Sequence, residues 1–101
     1  YVRNLFKTKI INRDEQLCPK EITAIVMAVM TTSGMYDFSG QYALEVGIPS
    51  KSGVAGGILA SVPNKYGIGV YGPALDKYGN SIAGYGILKS FSQELGLSIF
   101  L

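Results

Sequence analysis

The sequence predicts an α+β fold, with helices packed on an antiparallel β-hairpin and a last helix closing the chain. Three observations carry this reading. Ile22, Ile25, Val26, Val29 and Met30 recur at i, i+3, i+4, i+7 and i+8, the spacing of one helix face. Two runs, 51–62 and 66–71, alternate as strands do, and only Pro63-Asn64-Lys65 separates them. Near the end, Leu88, Phe91 and Leu95 form a second apolar stripe, with Asn80 or Ser81 before it as a cap and Gly96 behind it as a stop.

Taken in order, residues 1–16 mix Arg3, Lys7, Lys9, Arg13, Asp14 and Glu15 with Val2, Leu5, Phe6, Ile10 and Ile11, which reads as a short amphipathic helix running into a polar loop. Its basic residues read as a solvated face. Pro19 suits a first helical position and Glu21 a first turn, so the next helix starts there. Met27, Met30 and Met35 fall at helical spacing and read as core filling. Ser33-Gly34 ends this helix, with Gly34 at a left-handed position, which sets Tyr36 at the rim. Asp37 and Ser39 read as capping residues of a shorter helix through Phe38, Tyr42 and Val46, stopped by Gly47. From Lys51 the chain reads as one strand to Val62, with Ser52, Val54, Gly56 and Ile58 on one face. The literal Gly-x-Gly-x-x-Gly at 67–72 lies in the second strand. Pro73 and a polar loop follow it, where a dinucleotide site needs a helix N-terminus, so the strand reading prevails.

Composition narrows the classes. Hydrophobic residues make up 48% of the chain, ample for a core, while charged residues make up 16% against a usual ~25%. A net charge of +2, spread along the chain, argues against a nucleic-acid partner. Cys18 is the single cysteine, so no disulfide forms within the chain. There is no histidine, which excludes a His-based triad and the usual zinc sites here. The longest apolar run, 22–30, falls short of the ~20 residues that span a bilayer. The first residue is Tyr1, not methionine, and a fragment is the expectation.

Most of the distinctive chemistry lies between Gly34 and Gly57. GMYDFSG (34–40) followed by PSKSGVAGGI (49–58) resembles the C-terminal part of the serine-dependent glutaminases, whose fold is that of the penicillin-binding-protein and β-lactamase class. The Lys51-Ser52-Gly53 triplet resembles the Lys-Thr-Gly strand motif of that wider class. The resemblance is close from Ile22 to Phe100 and loose over 1–16. It implies that residues 1–101 are the C-terminal segment of a single catalytic domain with a serine β-lactamase-like fold. It also implies a cytoplasmic, self-associating enzyme without metal or cofactor, with no nucleic-acid or membrane partner. That enzyme would hydrolyse L-glutamine to glutamate and ammonia through an acyl-serine.

The same resemblance points to individual residues. Tyr36 matches the family tyrosine that contacts substrate and shuttles a proton, and Val54 the valine whose backbone N–H serves the oxyanion hole. Elementary chemistry is compatible with both roles. A phenol with a pKa near ~10 is a poor base at pH 7 without a nearby cation, and Lys51 is the nearest candidate by motif. An N–H flanked by Gly53, Ala55 and Gly56 is open to close approach. Ser52 is a weaker candidate, equally readable as a plain strand hydroxyl. Asn64 and Asn80 are not assigned to substrate. No Ser-x-x-Lys or Thr-x-x-Lys occurs in residues 1–101, so the nucleophile and its base are expected outside this chain, and the chain alone is expected to be inactive. Two alternatives stay open, a segment of a penicillin-recognising acyl transferase and a non-catalytic interaction fragment.

Overall fold

The computed structural model describes residues 10–12 and 15–101, and the fold is α+β. Strands β1 (Ile10–Asn12) and β2 (Glu15–Cys18) pair antiparallel, with a register shift between Ile10 and Ile11. This corrects the helix expected over 1–16, of which residues 1–9 and 13–14 lie outside the described residues. The adjacent β-branched residues Ile10 and Ile11 favour extended backbone, and strand pairing prevails over the helical spacing of the apolar residues.

Helix α1 (Lys20–Ser33) begins one residue later than expected, with Pro19 at the N-cap instead of the first helical position. Its stripe behaves differently from the expectation: Ile22, Ile25 and Val29 are 48%, 62% and 55% exposed, while Thr23 and Met30 are buried. Helical spacing shows that a face is apolar; which neighbour covers it is a tertiary matter. Among the described residues α1 packs mainly against α2 (Ser39–Glu45) and β3 (Ser50–Ser52).

Between α1 and α2 the chain turns through a short 3₁₀ segment, Tyr36–Phe38. Gly34 is right-handed helical at φ −67°, not left-handed as expected. Its need for glycine is steric, since a Cβ there would sit 1.9 Å from the Ser50 carbonyl oxygen and 2.5 Å from that of Met30. The left-handed residue is Tyr36 itself, at φ 58°. Asp37 makes no capping bond; Ser39 Oγ instead accepts from the Met35 N–H at 2.9 Å and donates to the Tyr36 carbonyl at 2.7 Å.

The sheet is three antiparallel strands in the order β3, β4 (Gly57–Val62), β5 (Tyr66–Tyr71). The single strand expected over 51–62 is therefore two strands joined by a tight turn, with Lys51 opposite Leu59 and Ser52 opposite Ile58. The expected second hairpin forms, Val62 facing Tyr66 across a turn in which Asn64 is left-handed at φ 62°. Central strand β4 buries Ile58, Ala60 and Val62 against Met35, Tyr42, Val46, Ile48, Leu88 and Leu97. Helix α3 (Ile82–Leu95) is capped by Ser81, whose Oγ accepts from the Gly84 N–H at 3.0 Å, and ends at left-handed Gly96. Its buried line is Gly84, Leu88 and Ser92; Phe91 and Leu95, expected in the stripe, are exposed.

Candidate active site

The Lys-Ser-Gly motif meets Tyr36 through two turns, each specified by its backbone. In the first, the Gly53 N–H donates to the Gly57 carbonyl at 2.9 Å and the Gly56 N–H to the Gly53 carbonyl at 3.0 Å. Residues 53–56 thus form a β-turn with Val54 and Ala55 at its two central positions. Among the described residues no hydrogen bond uses the Val54 N–H. Val54 is 71% exposed at the tip. The turn closes only because residue 56 is glycine. Its φ is +107°, and a Cβ there would lie 2.5 Å from the Gly72 carbonyl oxygen. Val54 therefore sits at a hairpin tip rather than inside a strand as expected.

The second turn presents Tyr36. A non-glycine residue at φ 58° carries a conformational cost, and surrounding bonds hold it there. Met35, 1% exposed, anchors the turn in the core. Its N–H is held by Ser39 and its carbonyl accepts from Asn80 Nδ2 at 3.0 Å. Gly79 lies against the Tyr36 ring, with the position of its absent Cβ 3.7 Å from Cε2. The Tyr36 hydroxyl then reaches β3, donating to the Ser52 carbonyl at 3.4 Å. Lys51 Nζ donates to the same carbonyl and stands 4.8 Å from the centroid of the Tyr36 ring. One carbonyl thus gathers the phenol and the ammonium. The Ser52 hydroxyl is buried and finds no partner among the described residues.

Two other tyrosines are built differently. Tyr42 hydrogen-bonds Ser50 Oγ at 2.8 Å, and because Ser50 donates to the Ile48 carbonyl at 2.8 Å, Tyr42 is the donor. Burial pushes its pKa up to about 12, partly opposed by the Ser50 bond, so it stays a neutral phenol at physiological pH. Tyr85 donates to Glu45, which also receives Lys89 at 2.9 Å and Gln41 at 2.7 Å. The Lys89 bond, then those of Tyr85 and Gln41, hold the Glu45 carboxyl near 2, and burial followed by the Glu45 bond raises the Tyr85 phenol. Among the described residues no group of three or more His, Cys, Asp or Glu side chains is arranged to hold a metal, and no helix is long and apolar enough to cross a membrane.

The structure brings Tyr36 and Lys51 together and places Val54 two residues past the carbonyl they share. From the sequence Asn80 is one of two cap candidates for the last helix; Ser81 is the cap, and the Asn80 amide instead holds the carbonyl that precedes Tyr36.

The glutaminase family model matches residues 5–100. The chain belongs to the glutaminase family. It is 66% identical over 86 residues to a glutaminase of Clostridium tetani, covering 85% of this chain and 28% of that relative. Against a glutaminase of Clostridioides difficile it is 57% identical over 90 residues, covering 89% of this chain and 29% of the relative. Among solved structures it is similar to a Bacillus subtilis glutaminase in covalent complex with 5-oxo-L-norleucine, formed by reaction with 6-diazo-5-oxo-L-norleucine. That similarity has a TM-score of 0.84 and 52% identity, over 86% of this chain and 32% of the other. The chain thus spans under a third of these glutaminases, and its architecture is the corresponding part of their β-lactamase-like fold.

Proposed function

We propose that these residues form the C-terminal segment of a single glutaminase catalytic domain, which hydrolyses L-glutamine to glutamate and ammonia through an acyl-serine whose nucleophile lies outside residues 1–101. The observation that carries the reading is the convergence of Tyr36 and Lys51 on the Ser52 carbonyl, beside a turn whose Val54 N–H is unpaired among the described residues. The Bacillus subtilis relative's covalent adduct supports the chemistry, because 5-oxo-L-norleucine has an α-amino acid head and a carbonyl at the carbon where glutamine bears its amide.

The serine oxygen would attack the amide carbon, placing negative charge on the carbonyl oxygen. The Val54 N–H is suited to meet that oxyanion, a contribution of roughly 3 to 4 kcal/mol for such a donor. Tyr36, at the rim, would contact substrate and carry a proton toward the leaving nitrogen, which departs as ammonia. Water then attacks the ester and releases glutamate, returning the proton to serine. Lys51, held over the Tyr36 ring, supplies positive charge beside the phenol. The same reading makes the enzyme cytoplasmic and a homo-oligomer, and it requires no metal, cofactor, nucleic acid or membrane.

The test compares the longer protein carrying this segment with the 101-residue chain alone, by ammonia release from glutamine. The longer protein should turn over and should carry a Ser-x-x-Lys upstream of Tyr36, while the short chain should stay at background. Turnover by the short chain would overturn the division of roles.

A further inference from the structure

We infer that Asn80 is a positioning residue for Tyr36, its amide fixing the carbonyl of Met35 and so the left-handed turn that aims the phenol. The inference rests on the proton-carrying role proposed for Tyr36 and adds the device that holds it in place. Asn80 is 0% exposed and lies in the loop before α3, far from Tyr36 in sequence, yet its Nδ2 donates to the Met35 carbonyl at 3.0 Å. Fixing that carbonyl fixes the peptide joining Met35 to Tyr36, and the orientation of that peptide is what the φ of 58° at Tyr36 depends on.

The clamp is itself braced. The Asn80 N–H donates to Asp76 Oδ1 at 3.1 Å and its carbonyl accepts from the Asp76 N–H at 2.8 Å, so both backbone groups are tied to one residue of the same loop. Asp76 Oδ1 also accepts from the Tyr78 N–H at 2.9 Å, and Gly79 between them contacts the Tyr36 ring. The next residue, Ser81, caps α3, which anchors the loop to a 14-residue helix on the sheet. A second observation separates this role from plain packing. Asn80 Oδ1 is buried without a partner among the described residues. An unpaired buried acceptor costs stability, so a site selected for stability alone has no reason to keep an amide whose other half is unused. The donor is the half in use, and reversing the amide would set oxygen against the Met35 carbonyl.

The experiment is a double-mutant cycle in the longer enzyme, combining Asn80→Asp with Tyr36→Phe. Aspartate keeps the shape of asparagine and loses the donor. In the wild-type background Asn80→Asp should lower kcat about tenfold or more with KM changed less than threefold, because an aligned phenol matters to the chemical step. In the Tyr36→Phe background, with no hydroxyl left to aim, the same change should cost less than twofold. Equal losses in the two backgrounds, or no loss in the first, overturn the inference. If Asn80→Asp does not fold by circular dichroism, Asn80→Ala takes its place, since it removes the donor without burying charge, and the same comparison decides. A wild-type enzyme that releases no ammonia from glutamine overturns the functional reading itself. Activity in the wild type with additive losses overturns only the clamp.

Discussion

Two polar clusters on this chain teach opposite lessons. Around Glu45, both carboxylate oxygens are paired with the side chains of Gln41, Tyr85 and Lys89, and the carboxyl is held near 2. Around Tyr36, the hydrogen bond of the hydroxyl is long at 3.4 Å, the Ser52 hydroxyl and Asn80 Oδ1 are buried and unpaired among the described residues, and the backbone at Tyr36 is left-handed. The satisfied network is the better structural tie between α2 and α3, whereas the strained corner leaves the partly exposed Tyr36 hydroxyl on a single long bond.

The largest effect that would sharpen the contrast is a change of backbone path at the tip. Gly53→Pro deletes the N–H that bonds the Gly57 carbonyl at 2.9 Å. Ser52 is already extended, so the restriction on a residue before proline costs it little, and the harm comes from opening the turn. We expect kcat of the longer enzyme to fall by ~10² to 10³, the loss for one oxyanion donor. Stopped-assay ammonia measurement with circular dichroism as a control checks it; a folded mutant of normal activity would break the assignment of the tip.

Next comes Tyr36→Phe, which keeps the ring against Gly79 and beneath Lys51 and removes only the hydroxyl. The expected loss in kcat is on the order of 10², with an unchanged thermal midpoint. Activity within twofold of wild type would make Tyr36 a rim residue and nothing more.

The contrast also shows what a sequence discloses. Helix ends were legible at Ser81 and Gly96, and to within one residue at Pro19, because a helix end is a local contract between a residue and the backbone beside it. The β4–β5 hairpin was legible for the same reason, a short turn between two alternating runs. The break at residues 53–56 was not. KSGVAGG alternates small and apolar residues as well as any strand, and only the contact of Gly56 with Gly72 shows why the chain reverses there. Gly34 departs from the expectation because glycine after a helix usually signals a left-handed cap, whereas here it makes room for the Ser50 carbonyl. Tyr36 and Lys51 came from the resemblance, and their meeting at one carbonyl from the fold. Asn80 stayed hidden because its partner is distant in sequence, and long-range pairing leaves no periodic mark.

A smaller effect is expected at the satisfied cluster. Glu45→Gln should leave turnover within twofold while lowering the thermal midpoint at neutral pH. The sign with pH follows from the depressed carboxyl. A folded value of about 2 lies below the ordinary ~4.3, so the stabilisation is fully present above the ordinary value and is lost as pH falls through the folded one. The difference in midpoint between wild type and Glu45→Gln should therefore be constant from pH 7 to 5 and shrink toward pH 2.5. A difference that grows on acidification would show that the cluster does not stabilise the ionised carboxylate.

The smallest expected effect is the most discriminating. Val54→Ala removes two methyl groups from a residue that is 71% exposed at the tip and keeps the N–H, the turn and the Gly53–Gly57 bond. Alanine adopts the same right-handed and extended backbone as valine, so nothing in residues 53–56 has to move. If the backbone donor is what matters, kcat should stay within about threefold of wild type while Gly53→Pro loses ~10² or more. The ratio of the two mutants, measured in one preparation with both shown to be folded, carries the decision. Equal damage would mean that the valine side chain itself contacts substrate, and the oxyanion role would then have to pass to another N–H, with that of Ala55, the other central residue of the same turn, the first to test.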